Sequence, residues 1–202
     1  MINSLIELEN ISLSRNDNNI LKDISFNIET SKALNLYGTN GSGKTSLLGI
    51  ITGMTEPTAG NIHNFSGDDR LFEKIIYVGH KYGIKANLTV LENLLYSADD
   101  SKDKISRIDK ALKVYNMNNL REVLTKNLSH GQQKKVSLMK TLVSDSLLWI
   151  IDEPYSALDN DSITIFNNTV NSFLNHGGSL VMTSHAEIKK SLFSIANYEI
   201  NK

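Results

Sequence analysis

The chain has 202 residues, a formal net charge of −1, a hydrophobic fraction of 40% and no cysteine. The length suits one domain of ordinary size, or a domain with a small insert, and the hydrophobic fraction suffices for a folded core. The lack of cysteine excludes disulfides, thiol catalysis, zinc fingers and haem attachment through cysteine, and the near-neutral charge argues against a nucleic-acid partner.

The N-terminal stretch MINSLIELENISLS contains acidic residues where a signal peptide would need an unbroken apolar core. No run approaches the roughly 18 apolar residues that span a bilayer. The strongest run, LLWII at 147–151, has the length of a strand. We therefore expect a cytoplasmic chain that has no membrane span of its own.

In the first part of the chain, before about residue 87, the sequence pattern predicts short strands on both sides of one glycine-rich turn. ISFNIE alternates Ile24, Phe26 and Ile28 on one face, which is typical of a half-buried antiparallel strand. ALNLYG predicts a strand that stops at Gly38, and KTSLLGIITG predicts a helix that ends near Gly53. KIIYVGH predicts a further strand.

From about residue 87 to residue 142 the periodicity becomes helical. The apolar residues at helical spacing are Leu91, Leu94 and Leu95, followed by Ile105, Ile108, Leu112 and Tyr115. The strands LLWIID and SLVMTSH follow, with a helix between them around 163–174 and a last strand at NYEI. This order predicts an α/β fold with a mainly parallel sheet, whose core is about 1–86 and 143–202, and a helical insert at about 87–142.

GTNGSGKT, at 38–45, fits the P-loop pattern of nucleoside-triphosphate-binding proteins. Glycines allow the backbone to wrap around phosphate oxygens, Lys44 is placed to bridge the β- and γ-phosphates, and the Thr45 hydroxyl is placed to ligate Mg²⁺. A strand before the motif and a helix after it make a chance glycine-rich turn the weaker interpretation. The residues predicted to bind ATP are Gly38, Thr39, Asn40, Gly41, Ser42, Gly43, Lys44, Thr45 and Ser46.

LLWIIDEP supplies acidic residues at the end of an apolar strand. Asp152 is placed to hold Mg²⁺, and Glu153 is placed to orient or deprotonate an attacking water. Apolar strands often end in a solvated acidic turn, so this interpretation depends on the P-loop.

A second candidate anion site lies in NLSHGQQKKVSLMK, at 127–140. A small polar loop leads there into a basic, helix-forming segment, and the free N–H groups at a helix start suit an anion.

Strand–P-loop, Leu-Ser-x-Gly-Gln, apolar strand–Asp-Glu and Thr-Ser-His occur in that order, and together they resemble the ATP-binding subunit of ABC transporters over essentially the whole chain. The resemblance implies a single ATPase domain over 1–202, with an antiparallel β subdomain beside the parallel core. It also implies a head-to-tail homodimer, in which the P-loop of one subunit and the signature loop of the other enclose the same ATP. The signature-loop residues are Leu128, Ser129, His130, Gly131 and Gln132.

The same resemblance implies roles for two further residues and shows three departures from the family pattern. Asp159 falls in the D-loop, which crosses the dimer interface, and His185 falls at the switch histidine that contacts the γ-phosphate. His130 replaces a glycine of the signature loop, and His80 stands at the Q-loop position, where a glutamine is usual. No aromatic residue is present where one usually stacks on adenine; Arg15 could stack there instead, or be a plain surface arginine.

YVGHKYGIKANLTVLENL, at 77–94, and LWIIDEPYSALD resemble more specifically the ATPases of bacterial cytochrome c maturation systems. This resemblance implies a membrane-embedded permease partner, a peripheral location at the cytoplasmic face of the inner membrane, and a role in haem export or in release of a haem-loaded chaperone. An ABC transporter for another substrate is the alternative. A soluble ABC ATPase acting on DNA or ribosomes is disfavoured because the chain has one cassette and no sustained heptads.

Overall fold

The computed structural model describes residues 4–67 and 70–201. Within these residues the strands β1 to β8 are Ser4–Arg15, Asn18–Glu29, Ala33–Tyr37, Ala59–Asn64, Ile75–Val78, Leu148–Ile151, Ser179–Ser184 and Ile195–Glu199. The helices α1 to α5 are Lys44–Ile51, Val90–Ser97, Lys104–Val114, His130–Val143 and Asn160–Asn175. No helix in this part of the chain combines the length and the apolarity that crossing a bilayer requires.

A parallel sheet forms the centre of the fold, with the strand order β5-β6-β7-β3-β8. All four residues of β6 are buried, which is typical of a parallel strand covered on both faces. β3 pairs with β7 from Ala33 opposite Leu180 to Tyr37 opposite Ser184, so these strands end side by side. The sheet confirms the predicted α/β core, and its strand order brings the carboxyl ends of β3, β6 and β7 to one edge.

A second sheet is antiparallel, with the strand order β2-β1-β4. The predicted strand at ISFNIE is confirmed as part of β2, and Ile24 and Ile28 are buried. β1 and β4 were not predicted from the sequence. The antiparallel β subdomain implied by the family resemblance is this sheet, and its buried face packs with residues of β3 and α1 in one apolar cluster.

The helical insert between β5 and β6 contains α2, α3 and α4. Leu94, Ile108, Leu112 and Tyr115 are at most 1% exposed, as their helical spacing predicts, but Ile105 is 50% exposed. Ile105 lies near the start of α3, on its solvent side. The buried residues of the insert belong to the same apolar cluster as residues of β6 and α5. The division at about 87 and 142 therefore stays a prediction.

Side-chain hydrogen bonds fix the segment between β5 and α2. Thr89 and Glu92 form a reciprocal capping box: the Thr89 Oγ1 accepts from the Glu92 N–H at 3.1 Å, and the Thr89 N–H donates to Glu92 Oε2 at 2.7 Å. These hydrogen bonds hold the pKa of Glu92 below its ordinary value. The buried Asn93 accepts from the Lys85 N–H at 2.7 Å and donates to the Thr89 carbonyl at 2.9 Å. The start of the insert is thus tied to the loop before it.

We expect Thr89→Ala to lower the free energy of unfolding by about 1 kcal/mol, because the mutant loses the hydroxyl that caps α2. Thr89→Ser keeps that hydroxyl and should remain within a few tenths of a kcal/mol of the wild type. Equilibrium unfolding in urea at neutral pH measures both variants. Equal stability of the Ala and Ser variants would show that the capping box contributes nothing to the folded state.

Candidate active site

The predicted site residues meet at the carboxyl edge of the parallel sheet. The glycine-rich loop 38–43 follows β3, Asp152 and Glu153 follow β6, and His185 follows β7. Because β6, β7 and β3 are neighbours in the sheet, three separate parts of the sequence converge there. Ligands of open α/β sheets bind at this edge.

The glycine-rich loop packs closely against the antiparallel sheet. Gly43, just before α1, has a φ of +100°, and a Cβ there would lie 2.7 Å from Leu21 Cδ2 and 3.0 Å from the Ile20 carbonyl oxygen. A larger residue would therefore be strained and would clash with β2. No side chain caps α1, so its first N–H groups remain available to an anion.

Two buried polar groups in the loop fit an anionic ligand. The Lys44 side chain is 7% exposed, and its ammonium donates to the carbonyls of Gly38 at 2.6 Å and Thr39 at 3.0 Å. The Ser42 hydroxyl is buried and has no hydrogen-bond partner among the described residues. A buried cation beside an unsatisfied hydroxyl and a free helix start is a suitable environment for phosphate.

Asp152 is 4% exposed, and two threonines hold its carboxylate. Thr45 Oγ1 donates to Oδ2 at 3.0 Å, and Thr183 Oγ1 donates to Oδ1 at 2.6 Å. A carboxylate and a hydroxyl in contact at the end of the glycine-rich loop are oxygen ligands of the kind Mg²⁺ prefers, so these residues fit the predicted metal. Thr183, on β7, begins the Thr-Ser-His motif, but its contact with Asp152 was not predicted from the sequence.

Glu153 has a left-handed backbone, with a φ of +46°, which is uncommon for a residue other than glycine. Its N–H donates to Thr183 Oγ1 at 2.9 Å, and its carbonyl accepts from Ser156 Oγ and from Lys134 Nζ, both at 3.0 Å. Its Oε1 lies 3.3 Å from Nε2 of His185. The hydrogen bonds fix the backbone of Glu153, and the carboxylate and imidazole are close enough to act on one bound molecule.

Lys134 is a site residue that the sequence analysis missed. It lies on α4, is fully buried, and donates to the carbonyl oxygens of Asp152 at 3.2 Å and Glu153 at 3.0 Å. Burial lowers the pKa of Lys134 to about 8, against the opposing effect of the Asp152 and Glu153 charges. One signal was available: Lys134 precedes the apolar Leu138 by one helical turn and so lies on the buried face of α4.

The signature loop, residues 128–132, forms the start of α4. The Ser129 Oγ accepts from the Gln132 N–H at 3.3 Å, and the Ser129 N–H donates to Gln132 Oε1 at 2.9 Å. Ser129 and His130 are exposed. No hydrogen bond or ion pair among the described residues joins this loop to residues 38–46. The helix start predicted for this loop is confirmed, but within one chain the loop and the glycine-rich loop are not in direct polar contact.

Asp159 caps the start of α5 and contacts α4. It accepts from the Ser162 N–H at 2.8 Å, and hydrogen bonds from Ser162 hold its pKa below the ordinary value. Its Oδ2 lies 3.6 Å from Lys135 Nζ. A Cβ on Gly131 would lie 2.9 Å from the Ala157 carbonyl oxygen. The signature loop and the segment 156–159 are therefore packed against each other.

The other two predicted residues lie outside this cluster. His80 is exposed in the turn that follows β5, and Arg15 is exposed at the end of β1. Among the described residues, no hydrogen bond or ion pair joins either side chain to Asp152 or Glu153. Their predicted roles stay predictions.

The fold and the site define a P-loop nucleotide-binding α/β domain. The family model described as ABC transporter matches residues 21–156. A Nitrosospira multiformis protein named "Cytochrome c biogenesis ATP-binding export protein CcmA" is 36% identical over 90% of this chain and 93% of its own length. A Mannheimia succiniciproducens protein of the same name is 29% identical over 95% and 93%.

A solved structure described as the ATP-binding subunit of an ABC transporter superposes with a TM-score of 0.81 at 24% identity, and covers 90% of this chain and 80% of that one. This likeness supports the fold. The chain belongs to the ABC transporter family.

Proposed function

We propose that this protein is the ATP-hydrolysing subunit of an ABC complex for c-type cytochrome biogenesis, which powers haem export or the release of a haem-loaded chaperone. The observation that carries the ATPase assignment is the convergence of Lys44, Thr45, Asp152, Glu153 and His185 at one sheet edge. The cytochrome assignment is supported by relatives that are named cytochrome c biogenesis export proteins.

The loop from Gly38 to Ser46 is the proposed ATP cradle. Its N–H groups and the Ser42 hydroxyl donate to phosphate oxygens, which satisfies a hydroxyl that is otherwise buried without a partner. Lys44 exchanges its two loop carbonyls for the β- and γ-phosphates. Thr45 and Asp152 are the proposed protein ligands of Mg²⁺, which when bound neutralises charge that develops on the phosphates.

Glu153 is the proposed catalytic residue that orients the attacking water and accepts its proton. Its carboxylate is partly exposed, so it can reach a water, while its backbone is fixed from both sides. His185, beside it, is the proposed contact to the γ-phosphate. The proposed domain organisation is one ATPase domain over 1–202. Its core is about 1–86 and 143–202, and the helical subdomain that carries the signature loop is about 87–142.

Glu153→Gln and Lys44→Ala should separate hydrolysis from binding. Glu153→Gln should bind ATP with near-wild-type affinity but lose about 10²–10⁴-fold of its turnover, because the positioned base is gone. Lys44→Ala should weaken ATP binding itself, because a charge-assisted phosphate contact is lost. Equilibrium titration with a fluorescent ATP analogue measures binding, and phosphate release measures turnover.

Glu122→Gln is the matched control, since this glutamate is 71% exposed in the helical insert, and its turnover should match the wild type. Near-normal hydrolysis by purified Glu153→Gln would refute the role given to Glu153.

A homodimer explains why one chain carries two candidate anion sites. The signature loop makes no polar contact with the glycine-rich loop of its own chain, yet its helix start and serine hydroxyl suit a phosphate. In the proposed head-to-tail dimer, Ser129, Gly131 and Gln132 of the signature loop bind the γ-phosphate of the ATP that the partner holds, while Leu128 packs in the core of its own chain. Asp159 lies at the same interface, which its contact with Lys135 of α4 supports.

Ser129→Arg should abolish most hydrolysis while leaving ATP binding by the isolated subunit intact, because a bulky cation blocks closure of the dimer. Mixing Ser129→Arg with Lys44→Ala should restore part of the activity, since each mixed dimer contains one intact composite site. Phosphate release over a dilution series of wild-type protein should rise more steeply than linearly with concentration.

Asn119→Arg, which adds the same cation at an exposed position of the insert, is the control and should hydrolyse ATP normally. If Ser129→Arg hydrolyses ATP as fast as the wild type, and if specific activity does not depend on protein concentration, the signature loop serves only to cap α4.

The proposed membrane partner is an integral permease of the same complex, which places this subunit peripherally at the cytoplasmic face of the inner membrane. The proposed docking face is the loop that carries His80 and Tyr82, beside the helical insert. The Tyr82 carbonyl accepts from Ser137 Oγ at 2.6 Å, so this loop is attached to α4. An ABC complex for another substrate is the second candidate, because the permease rather than this chain contacts the cargo.

Co-expression with a candidate permease should move the protein from the soluble to the membrane fraction, and the two should co-purify in mild detergent. His80→Glu should reduce the co-purified amount, because it adds a negative charge to a loop whose other charged side chains, Lys81 and Lys85, are basic. Lys22→Glu, on the exposed side of β2, should not. Retention of the wild type in the soluble fraction with no co-purification would refute the subunit assignment.

A further inference from the structure

Helix α4 connects the signature loop to the backbone at Asp152 and Glu153 through one buried side chain, that of Lys134. The signature loop forms the first turn of α4, and Lys134 follows in the next turn. The Lys134 ammonium reaches two consecutive carbonyl oxygens, of Asp152 and Glu153, and lies 5.5 Å from the centroid of the Tyr82 ring. Lys134 thus joins α4 to the backbone of Glu153, the proposed catalytic base.

A buried ammonium at this place needs a specific partner, because burial of a charge without hydrogen bonds is strongly unfavourable. The carbonyls of Asp152 and Glu153 supply two charge-assisted hydrogen bonds, and the Tyr82 ring supplies a cation–π contact. A neutral side chain of similar length would fill the same volume and could not donate to both carbonyls. The ammonium of Lys134 therefore contributes specific hydrogen bonds in addition to filling space in the core.

The backbone of Glu153 needs such support. Its left-handed conformation persists only where surrounding contacts hold it. Thr183 holds the N–H, and Ser156 and Lys134 hold the carbonyl. Ser156 belongs to the turn that follows Glu153, so of these two carbonyl contacts Lys134 is the one made from a separate element.

We infer that Lys134 is a positioning residue for ATP hydrolysis, which fixes the Glu153 carboxylate relative to the helix that carries the signature loop. The inference rests on the proposed function. In the proposed dimer, the signature loop senses the ATP of the partner, and Lys134 transmits the position of α4 to Glu153 of its own chain. Through Lys134, the position of Glu153 in one chain therefore depends on whether the signature loop of that chain has bound the ATP held by the partner.

The test compares Lys134→Met, Lys134→Arg and Lys140→Met in the purified full chain. Lys134→Met keeps the length and loses the charge and the donors. We expect its kcat to fall about 10²-fold, the penalty of a small misplacement of a catalytic group. Its Kd for ATP should change little, because Lys134 donates to Asp152 and Glu153 rather than to the ATP cradle. Lys134→Arg should recover most of the lost kcat.

Lys140→Met is the matched control. Lys140 lies on the same helix, is less buried than Lys134, and donates to the Gly83 carbonyl at 2.9 Å, while no hydrogen bond or ion pair among the described residues joins it to Asp152 or Glu153. Its kcat without permease should match the wild type. If Lys134→Met does not fold, Lys134→Gln, which loses the charge but keeps an amide NH₂ group on a shorter side chain, takes its place with the same expected split between kcat and Kd.

The outcomes separate the inference from the function on which it rests. Wild-type protein that hydrolyses no ATP would refute both. ATP hydrolysis that Glu153→Gln abolishes, together with a wild-type kcat in folded Lys134→Met, would overturn only the inference. A kcat loss in Lys140→Met equal to that in Lys134→Met, or no recovery in Lys134→Arg, would also overturn it, because general packing of α4 would then explain the effect.

Discussion

The buried carboxylate of Asp152 is the interaction on which the site depends. A carboxylate at 4% exposure is strongly unfavourable unless both oxygens find donors. Thr45 donates from the start of α1 and Thr183 from β7, so the charge is satisfied only when β3, β6 and β7 stand in their observed order. The hydrogen bonds that stabilise this acid thus place the nucleotide loop beside it, and Thr183 also orients the turn at Glu153.

Helix α4 is the second organising element, because it contacts each part of the proposed mechanism. Its first turn carries the signature loop, Lys134 donates to the carbonyl of Glu153, and Ser137 and Lys140 donate to the loop at Tyr82 and Gly83. A rigid helix with these attachments can align three proposed parts of the mechanism: the permease face, the ATP held by the partner subunit, and Glu153 as the catalytic residue. These links are contacts within one chain, and their role in communication between two ATP sites depends on the proposed dimer.

Local patterns predicted the elements that carry their own signals, and missed those defined by tertiary pairing. The predicted elements are short apolar runs that end at glycines or acidic residues, as β3 does at Gly38 and β6 does at Asp152. β1 was missed because register shifts against β2 break its alternation, so that Leu5 and Ile6 are both buried. β4 has almost no buried residue and exists through its pairing with β1. The spacing of Lys134 from Leu138 indicates that Lys134 is buried, and Thr183 begins the Thr-Ser-His motif, but neither pattern identifies their distant partners, the Glu153 carbonyl and the Asp152 carboxylate.

The strand order also has a consequence for how the chain is assembled during synthesis. In the sheet β3 pairs only with β7 and β8, so Ala33 lies opposite Leu180 on one side and Ile195 on the other. An apolar strand made early therefore has unpaired edges until residues 179–199 have been synthesised, and an unpaired apolar strand is a template for aggregation. The antiparallel sheet consists of strands that lie close together in the sequence, so it can form before residues 179–199 have been synthesised. Its packing against β3 and against the glycine-rich loop at Gly43 can cover part of the apolar surface of β3 during that time.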